Sequence, residues 1–246
     1  MKRLFSIIIA TYNSENYLRR TLESIISQDF TDYEILIVDG GSKDGTLAIV
    51  ARYGDTISVC ISEPDNGIYD AWNKGIKRAR GQWIMFVGSD DLLLPGALST
   101  YAQFLSQQQH TNLEYVSANV ELITEEGKIL RTIGKPWKWS AFKRFMCVAH
   151  ESSIHNLTLY EQYCVYNTDY KITGDYELLL RAKGQLKAGY INATLAQMQV
   201  GGMSVNAKSF IETFNAKVSS GSRNRLLAKL EMMEAKMKYL VRALIS

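Results

Sequence analysis

Gln82-Trp83-Ile84-Met85-Phe86-Val87-Gly88-Ser89-Asp90-Asp91 is an apolar run that ends abruptly in two carboxylates. Continuous Trp, Ile, Met, Phe and Val flanked by Gly81 and Gly88 reads as a strand buried on both faces, the pattern of a central strand in a helix-covered parallel sheet. The C-terminal end of such a strand opens into the crevice where α/β sheets bind ligands. Two adjacent Asp there repel each other unless a cation sits beside them. A hard divalent ion, which also binds phosphate oxygens, fits that position.

Upstream, the same logic repeats. Leu4–Ala10 reads as a strand, Asn13 or Ser14 offers an N-cap, and Leu18, Leu22, Ile25 and Ile26 mark one face of a helix. Glu34–Val38 is a second strand ending in Asp39-Gly40-Gly41, and Asp44 can cap a helix over Thr46–Tyr53. Ile57–Ile61 is a third strand, followed after Asn66-Gly67 by a helix with Ile68, Ala71, Trp72, Gly75, Ile76 and Ala79 inward. Strand and helix alternate four times before the acidic pair, so the N-terminal region is predicted to be a doubly wound, mostly parallel α/β unit.

Downstream, Ala97–Leu105 reads as a helix, and Tyr115–Thr124 with Ile129–Ile133 as a hairpin. Lys135–Trp139 is aromatic and irregular, Tyr176–Ala182 is a short helix opened by Gly174-Asp175, and Gly189–Val200 is a returning strand. From Ser222 the character changes: Leu226, Leu230, Met233, Met237, Leu240 and Leu244 recur at spacings of four and three, with Lys229, Lys236, Lys238 and Arg242 beside them. That is a heptad seam on one long helix, suited to an anionic membrane surface, to a second subunit, or to packing on its own domain.

At 246 residues, 46% hydrophobic and 22% charged, the chain can bury a sizeable core. Its three cysteines, with no CxxC, suggest neither a disulfide framework nor a zinc cluster, so a cytoplasmic setting is expected. The net charge of +3 is unevenly spread: residues 207–246 hold eight Lys/Arg against three Asp/Glu, leaving the remainder slightly acidic. Without a basic face on the folded body, a nucleic-acid partner is not expected.

Asp39, Asp90 and Asp91 all follow strands, and in an open α/β sheet such ends lie side by side. A single Asp there is usually a helix cap, but three at neighbouring ends point to a ligand. Thr11-Tyr12-Asn13 adds hydroxyl, aromatic and amide groups suited to a base and ribose. Asp70 and Lys74 stand at i, i+4 and read equally well as a surface ion pair. Taken alone, Asp175 reads as a helix cap and His150 as a partly buried histidine.

Thr11-Tyr12-Asn13, Val38-Asp39-Gly40-Gly41-Ser42-Lys43-Asp44-Gly45-Thr46, the segment Ser62–Ile76 and Ser89-Asp90-Asp91 together resemble the family 2 glycosyltransferases of the GT-A fold, especially the bacterial enzymes of O-antigen, capsule or colanic acid synthesis. The resemblance implies a catalytic domain over residues 1–206, with a nucleotide-binding half at 1–95 and an acceptor half at 96–206, followed by a basic amphipathic helical tail at 207–246. It implies that Asp39, Gly40 and Thr11–Asn13 contact the donor's uracil, that Asp70, Lys74, Ser89 and Asp90 also touch the donor, and that Asp91 holds Mn²⁺ or Mg²⁺ on its diphosphate. Ser89 departs from the family's first acidic position, leaving Asp91 the sole protein ligand. Asp175 matches the base that deprotonates the acceptor hydroxyl for a single inverting displacement, and His150 falls where relatives often carry a His near metal or acceptor. Gly201-Gly202-Met203-Ser204 resembles the glycine pair that ends the catalytic domain.

The implied activity is transfer of a sugar from a nucleotide diphosphate, UDP above all, to a lipid-linked (undecaprenyl diphosphate) saccharide, by an enzyme lying peripherally on the inner face of the cytoplasmic membrane and able to homodimerise. Two rivals stand beside it. Asp39 mimics the ribose-binding acid of nicotinamide-dependent oxidoreductases, but the first strand-to-helix turn, Ala10–Ser14, has no glycine to cradle a pyrophosphate. A non-catalytic assembly subunit acting through the heptad tail is the other.

Overall fold

Strands and helices alternate from the first residues because the apolar runs are too short and too continuous for anything but buried strands. The structure is a computed structural model that describes residues 3–108, 110–201 and 207–245, with residues 207 and 242–245 described by their backbone. Gly202–Ser204 and the side chains of Arg242 and Leu244 therefore lie outside the described residues. The N-terminal half runs β1 (Phe5–Thr11), α1 (Leu18–Ile26), β2 (Tyr33–Asp39), α2 (Thr46–Arg52), β3 (Ile57–Ser62), α3 (Ile68–Ile76) and β4 (Trp83–Gly88). It continues with β5 (Leu92–Leu93), α4 (Ala97–Gln107), β6 (Tyr115–Ile123), β7 (Ile129–Ile133), α5 (Trp139–Phe142), β8 (Ser153–Asn156) and α6 (Leu157–Tyr163). The chain ends with α7 (Gly174–Ala182), β9 (Ala188–Gln199), α8 (Ala207–Ser219) and α9 (Arg225–Ile245).

All the strands join one sheet in the order β3-β2-β1-β4-β8-β6-β9-β5, with β7 paired to β6. The ladders β3/β2, β2/β1 and β1/β4 are parallel, so β1, β2 and β4 end together. Alternate residues feed two cores. Ile7, Ile9, Ile35, Ile37, Met85 and Val87 pack against Leu18, Leu22 and Ile25 of α1 on one face. Ile8, Leu36, Ile84 and Phe86 pack against Tyr69, Trp72 and Ile76 of α3, and against α7, on the other. Burial on both faces is why these strands read as unbroken apolar runs.

Two features depart from the sequence reading. Residues Ser153–Asn156 form β8, inserted antiparallel between β4 and β6; a four-residue run containing Ser, His and Asn carries no apolar period. Neither Asn13 nor Ser14 caps α1, whose N-cap position is Tyr17 with no side-chain bond. Asn13 Oδ1 instead accepts from the Lys43 N–H (2.9 Å), and Ser14 Oγ lies 2.8 Å from Ser89 Oγ, so both side chains tie neighbouring strand ends together. Asp44 stands one position before the N-cap of α2, which is Gly45, and accepts from the Thr46 N–H at 3.1 Å.

The tail, whose use the sequence left open, docks with its seam outward. α8 packs on α7, and Glu212 accepts from the backbone N–H groups of Lys171, Ile172 and Thr173 just before α7. α9 docks on α8 through Ala228 and a buried ionic cluster: Glu231 accepts from Lys217 Nζ and Arg223 Nε, both at 2.8 Å. Burial pulls the Lys217 ammonium pKa down, with the neighbouring Arg223 and Arg144 adding to it, against the opposing pull of Glu231. The heptad seam faces outward, from Leu226 (71% exposed) to Met237 (63%) and Leu240 (61%).

Removing Glu231 leaves two cations without their carboxylate, so Glu231→Ala should cost roughly 3 kcal/mol or more and free α9. Limited proteolysis should then cut near residue 223, while Met233→Ala on the exposed seam should leave the cleavage pattern unchanged.

Candidate active site

Asp39 sits at the end of β2, fully buried. Its Oδ1 accepts from Thr11 Oγ1 (3.1 Å) and from Ser42 Oγ, and its Oδ2 from the N–H groups of Gly41 and Ser42 (3.0 Å each) and from Ser62 Oγ (2.7 Å). Burial alone would push this carboxyl pKa up; the donors around it outweigh burial and hold it below its ordinary value. An ionised carboxylate thus organises the loops after β1, β2 and β3 at one point. The Asn13 N–H donates to Ser42 Oγ at 2.8 Å, closing the same knot. Above it the Tyr12 ring is 66% exposed. A Cβ on Gly40 would lie 3.4 Å from that ring and 2.6 Å from Asp65 Oδ2, so Tyr12, Gly40 and Asp65 meet at one point, where Asp65 approaches closely because residue 40 has no side chain. The sequence reading did not single out Asp65.

Asp70 and Lys74 stand at the edge of this region in local bonds. Lys74 Nζ pairs with Glu63 (2.9 Å), lies 3.8 Å from Asp70 and donates to the Pro64 carbonyl (3.0 Å), while Asp70 accepts from the Asn66 N–H (3.0 Å). Together they brace the loop that carries Asp65.

After β4 the chain turns back on itself. Asp91 Oδ2 accepts from the Gly88 N–H (3.2 Å) and Oδ1 from the Gln199 N–H (3.3 Å), and a Cβ on Gly88 would meet Asp91 at 2.6 Å and Asp90 at 3.1 Å. Both carboxylates therefore fold over the strand end, as only a glycine there permits. Burial, then the charges of Asp90 and Glu151, push the Asp91 carboxyl pKa well above the ordinary range; burial also raises Asp90. Ser89 takes no part in that repulsion, since its hydroxyl bonds Ser14 and its carbonyl accepts from Thr21 Oγ1 (2.9 Å).

Glu151 links these acids to Asp175. Burial first, and the Asp175 charge in addition, push Glu151 up, with His150 pulling the other way. Asp175 opens α7, and its Oδ1 accepts from Tyr69 Oη at 3.1 Å. The single proton of this phenol is shared with the Ile172 carbonyl, the nearer acceptor at 2.8 Å, and burial together with the Asp175 charge keeps that proton on. Asp175 Oδ2 makes no hydrogen bond among the described residues. Glu177, two residues on, is instead held by Arg181. His150 is buried, its ring stacked on Trp72 (centroids 5.0 Å apart) and its Nε2 3.2 Å from Tyr166 Oη.

His150, Glu151 and Asp175 line one cavity of about 770 Å³, which Met198, Val200 and the inner faces of α8 and α9 complete. Asp91 accepts from the N–H of Gln199, whose neighbours Met198 and Val200 line that cavity. Asp39 and the pair Asp90-Asp91 thus follow the C-terminal ends of the parallel strands β2 and β4, and Asp175 lines the cavity. Among the described residues no group of three or more His, Cys, Asp or Glu could hold a metal ion. Glu151 and Tyr69 were missed in the sequence; the adjacent His150-Glu151 pair was the available signal for Glu151, and nothing near Tyr69 announced its bond across more than 100 residues.

Comparison with known proteins gives the class. The sequence profile of Glycosyl transferase family 2 matches residues 6–145, more than half of the chain. A Mycobacterium tuberculosis protein named PGL/p-HBAD biosynthesis glycosyltransferase is 28% identical over 235 residues, covering 89% of this chain and 87% of its own. An uncharacterized glycosyltransferase of Rickettsia typhi is 30% identical over 183 residues, covering 71% of this chain and 57% of its own. Staphylococcus aureus TarS 1–349 in complex with UDP-GlcNAc superposes with a TM-score of 0.73 at 18% identity, covering 94% of this chain and 71% of that one. The mannosyltransferase PcManGT from Pyrobaculum calidifontis, in complex with GDP-Man and Mn²⁺, gives 0.64 at 16%, covering 98% and 76%. The chain belongs to glycosyltransferase family 2, with the GT-A fold, and is a glycosyltransferase.

Two outcomes follow from the geometry. Because burial and like charge oppose ionisation of Asp91, Asp91→Asn should raise the melting temperature in EDTA by a few degrees, on the order of 1 kcal/mol, while removing activity; a lower melting temperature would count against the repulsion. Tyr69→Phe deletes the bond that orients Asp175 and should lower kcat about tenfold with the donor KM unchanged.

Proposed function

We propose that the protein is an inverting, divalent-metal-dependent glycosyltransferase that moves a sugar from a nucleoside diphosphate, UDP first among them, to a hydroxyl of a lipid-linked saccharide. One arrangement carries the reading: Glu151 and Asp175 line one cavity, and Asp91, buried at the end of β4, feels the charges of Asp90 and Glu151, so a cation is called for at Asp91 and a base is available at Asp175. The point where Tyr12, Gly40 and Asp65 meet offers a ring face and an acceptor to a uracil, and the knot around Asp39 fixes it in place. Ser89, Asp90, Asp70 and Lys74 stand toward the ribose and the sugar.

The residues fit a divalent ion. Asp91 is a buried, repelled carboxylate whose charge such an ion would neutralise, and the diphosphate would supply the oxygens that the protein lacks. When bound, the ion draws charge off the departing nucleoside diphosphate. The chain's own part lies at α7. Tyr69 holds Asp175 Oδ1, leaving Oδ2 to take the acceptor's proton as its oxygen bonds to the anomeric carbon. The bond from that carbon to the diphosphate breaks in the same step, on the opposite face, so configuration inverts. His150, stacked and hydrogen-bonded, walls the acceptor side.

The tail extends the reading. Leu226, Leu230, Met233, Met237 and Leu240 form an exposed apolar row with Lys229 and Lys236 beside it, suited to an anionic bilayer in which a lipid-linked acceptor resides. No helix among the described residues is long and apolar enough to cross a membrane. We place the enzyme on the inner face of the cytoplasmic membrane, in the synthesis of a surface polysaccharide or glycolipid.

Asp91→Ala and Asp175→Asn should each lower UDP-sugar turnover with Mn²⁺ by at least a hundredfold, their circular dichroism unchanged; full activity in either would remove the role assigned. Sedimentation with anionic vesicles, but not with neutral ones, should be lost in a Met233→Glu/Met237→Glu double variant. A shift to dimers that the double variant abolishes would assign the row to a second copy instead.

A further inference from the structure

The far wall of the cavity is unlike the end that holds the acids. Leu122, Val148, Met198, Phe210, Phe214 and Met232 make it predominantly apolar. Of the charged groups along it, Lys217 Nζ is bonded to Glu231 and to the Arg144 carbonyl, and Arg144 is paired with Glu234 at 2.8 Å; Arg131, exposed on β7, is the further cation that lines it. Thr173 is likewise bonded, its N–H donating to Glu212 at 3.0 Å. A saccharide ring placed here would lose water from several hydroxyls and find few donors or acceptors in return, which costs binding for every unpaired group. The volume of about 770 Å³ suits a ligand of drug size.

From this we infer that the acceptor carries an alkyl or aryl group close to the reacting hydroxyl, and that this group occupies the space between β9, α8 and α9. The inference rests on the glycosyl transfer proposed above, because it is Asp175 and Glu151 at the cavity's other end that identify the occupant as the molecule presenting the hydroxyl. Specificity then comes from the tail. α8 and α9 contribute Phe210, Phe214 and Met232, and Glu212 fixes α8 against the turn that begins α7, so the helix that carries the base and the wall that receives the apolar group are set by one docking contact. Thr213, half-buried on α8, lines the same space.

The test is equilibrium binding to the full chain in the presence of UDP and Mn²⁺, by isothermal titration, of methyl, n-octyl and 4-nitrophenyl glycosides of one hexose series below their micelle-forming concentrations. The octyl and nitrophenyl compounds should bind at least tenfold more tightly than the methyl compound. Thr213→Trp, which fills the space, should erase most of that difference while the melting temperature stays within a few degrees. Equal affinity for the three glycosides, or an octyl advantage that survives in Thr213→Trp, would overturn the inference. The proposed transfer is judged separately, by UDP release in the Asp175→Asn variant, so either can fail without the other.

Discussion

The buried carboxylate of Asp91 at the end of β4, with half-buried acids in electrostatic reach, is the constraint on which this architecture turns. Asp91 is almost fully buried and has Asp90 and Glu151 in electrostatic reach; Glu151 in turn feels Asp175. Left alone such a cluster favours protonation or unfolding, and the protein retains it with a frame that cannot relax. β1, β2 and β4 run parallel, so their ends coincide, and the Gly88 turn gives Asp91 backbone donors from two directions. Stability given up at the strand ends is recovered in two apolar layers whose residues alternate along each strand.

A contrast between two carboxylates makes the division of labour concrete. Asp39 and Asp91 are both buried at strand ends, yet the first is held ionised by hydroxyl and amide donors while the second has two long backbone bonds and acidic neighbours. Asp39 is complete within the protein and serves as a structural knot. Asp91 is incomplete without a positive charge.

Much of this could be read from the residues. The run from Trp83 to Val87 is buried on both faces, and the acids that follow it lie where parallel-sheet geometry places them. Asp175 at the start of α7 was also visible, because Gly-Asp before an apolar turn marks a helix opening. What escaped were long-range contacts between polar groups: Tyr69 to Asp175, Glu212 to the turn before α7, Glu151 between the two acidic sets. Each is set by tertiary packing and leaves no local period. β8 escaped because a four-residue strand completed by neighbours on both sides needs no apolar signature of its own. The seam of α9 was recognised, but apolar spacing does not say which face docks; the inward face is held by Ala228 and the Glu231 cluster, and the seam is left outside.

The account stands on the acids of the strand ends and the acid of α7 serving one sugar nucleotide. The most direct measurement is an anomalous difference map from crystals grown with UDP and Mn²⁺. It should show a single strong peak against the Asp91 carboxylate, with the diphosphate beside it and the nucleobase over Tyr12, leaving the path to Asp175 open for a sugar. Nucleotide bound away from Asp91, or a peak with Asp175 shielded from it by the body of the sheet, would contradict the account.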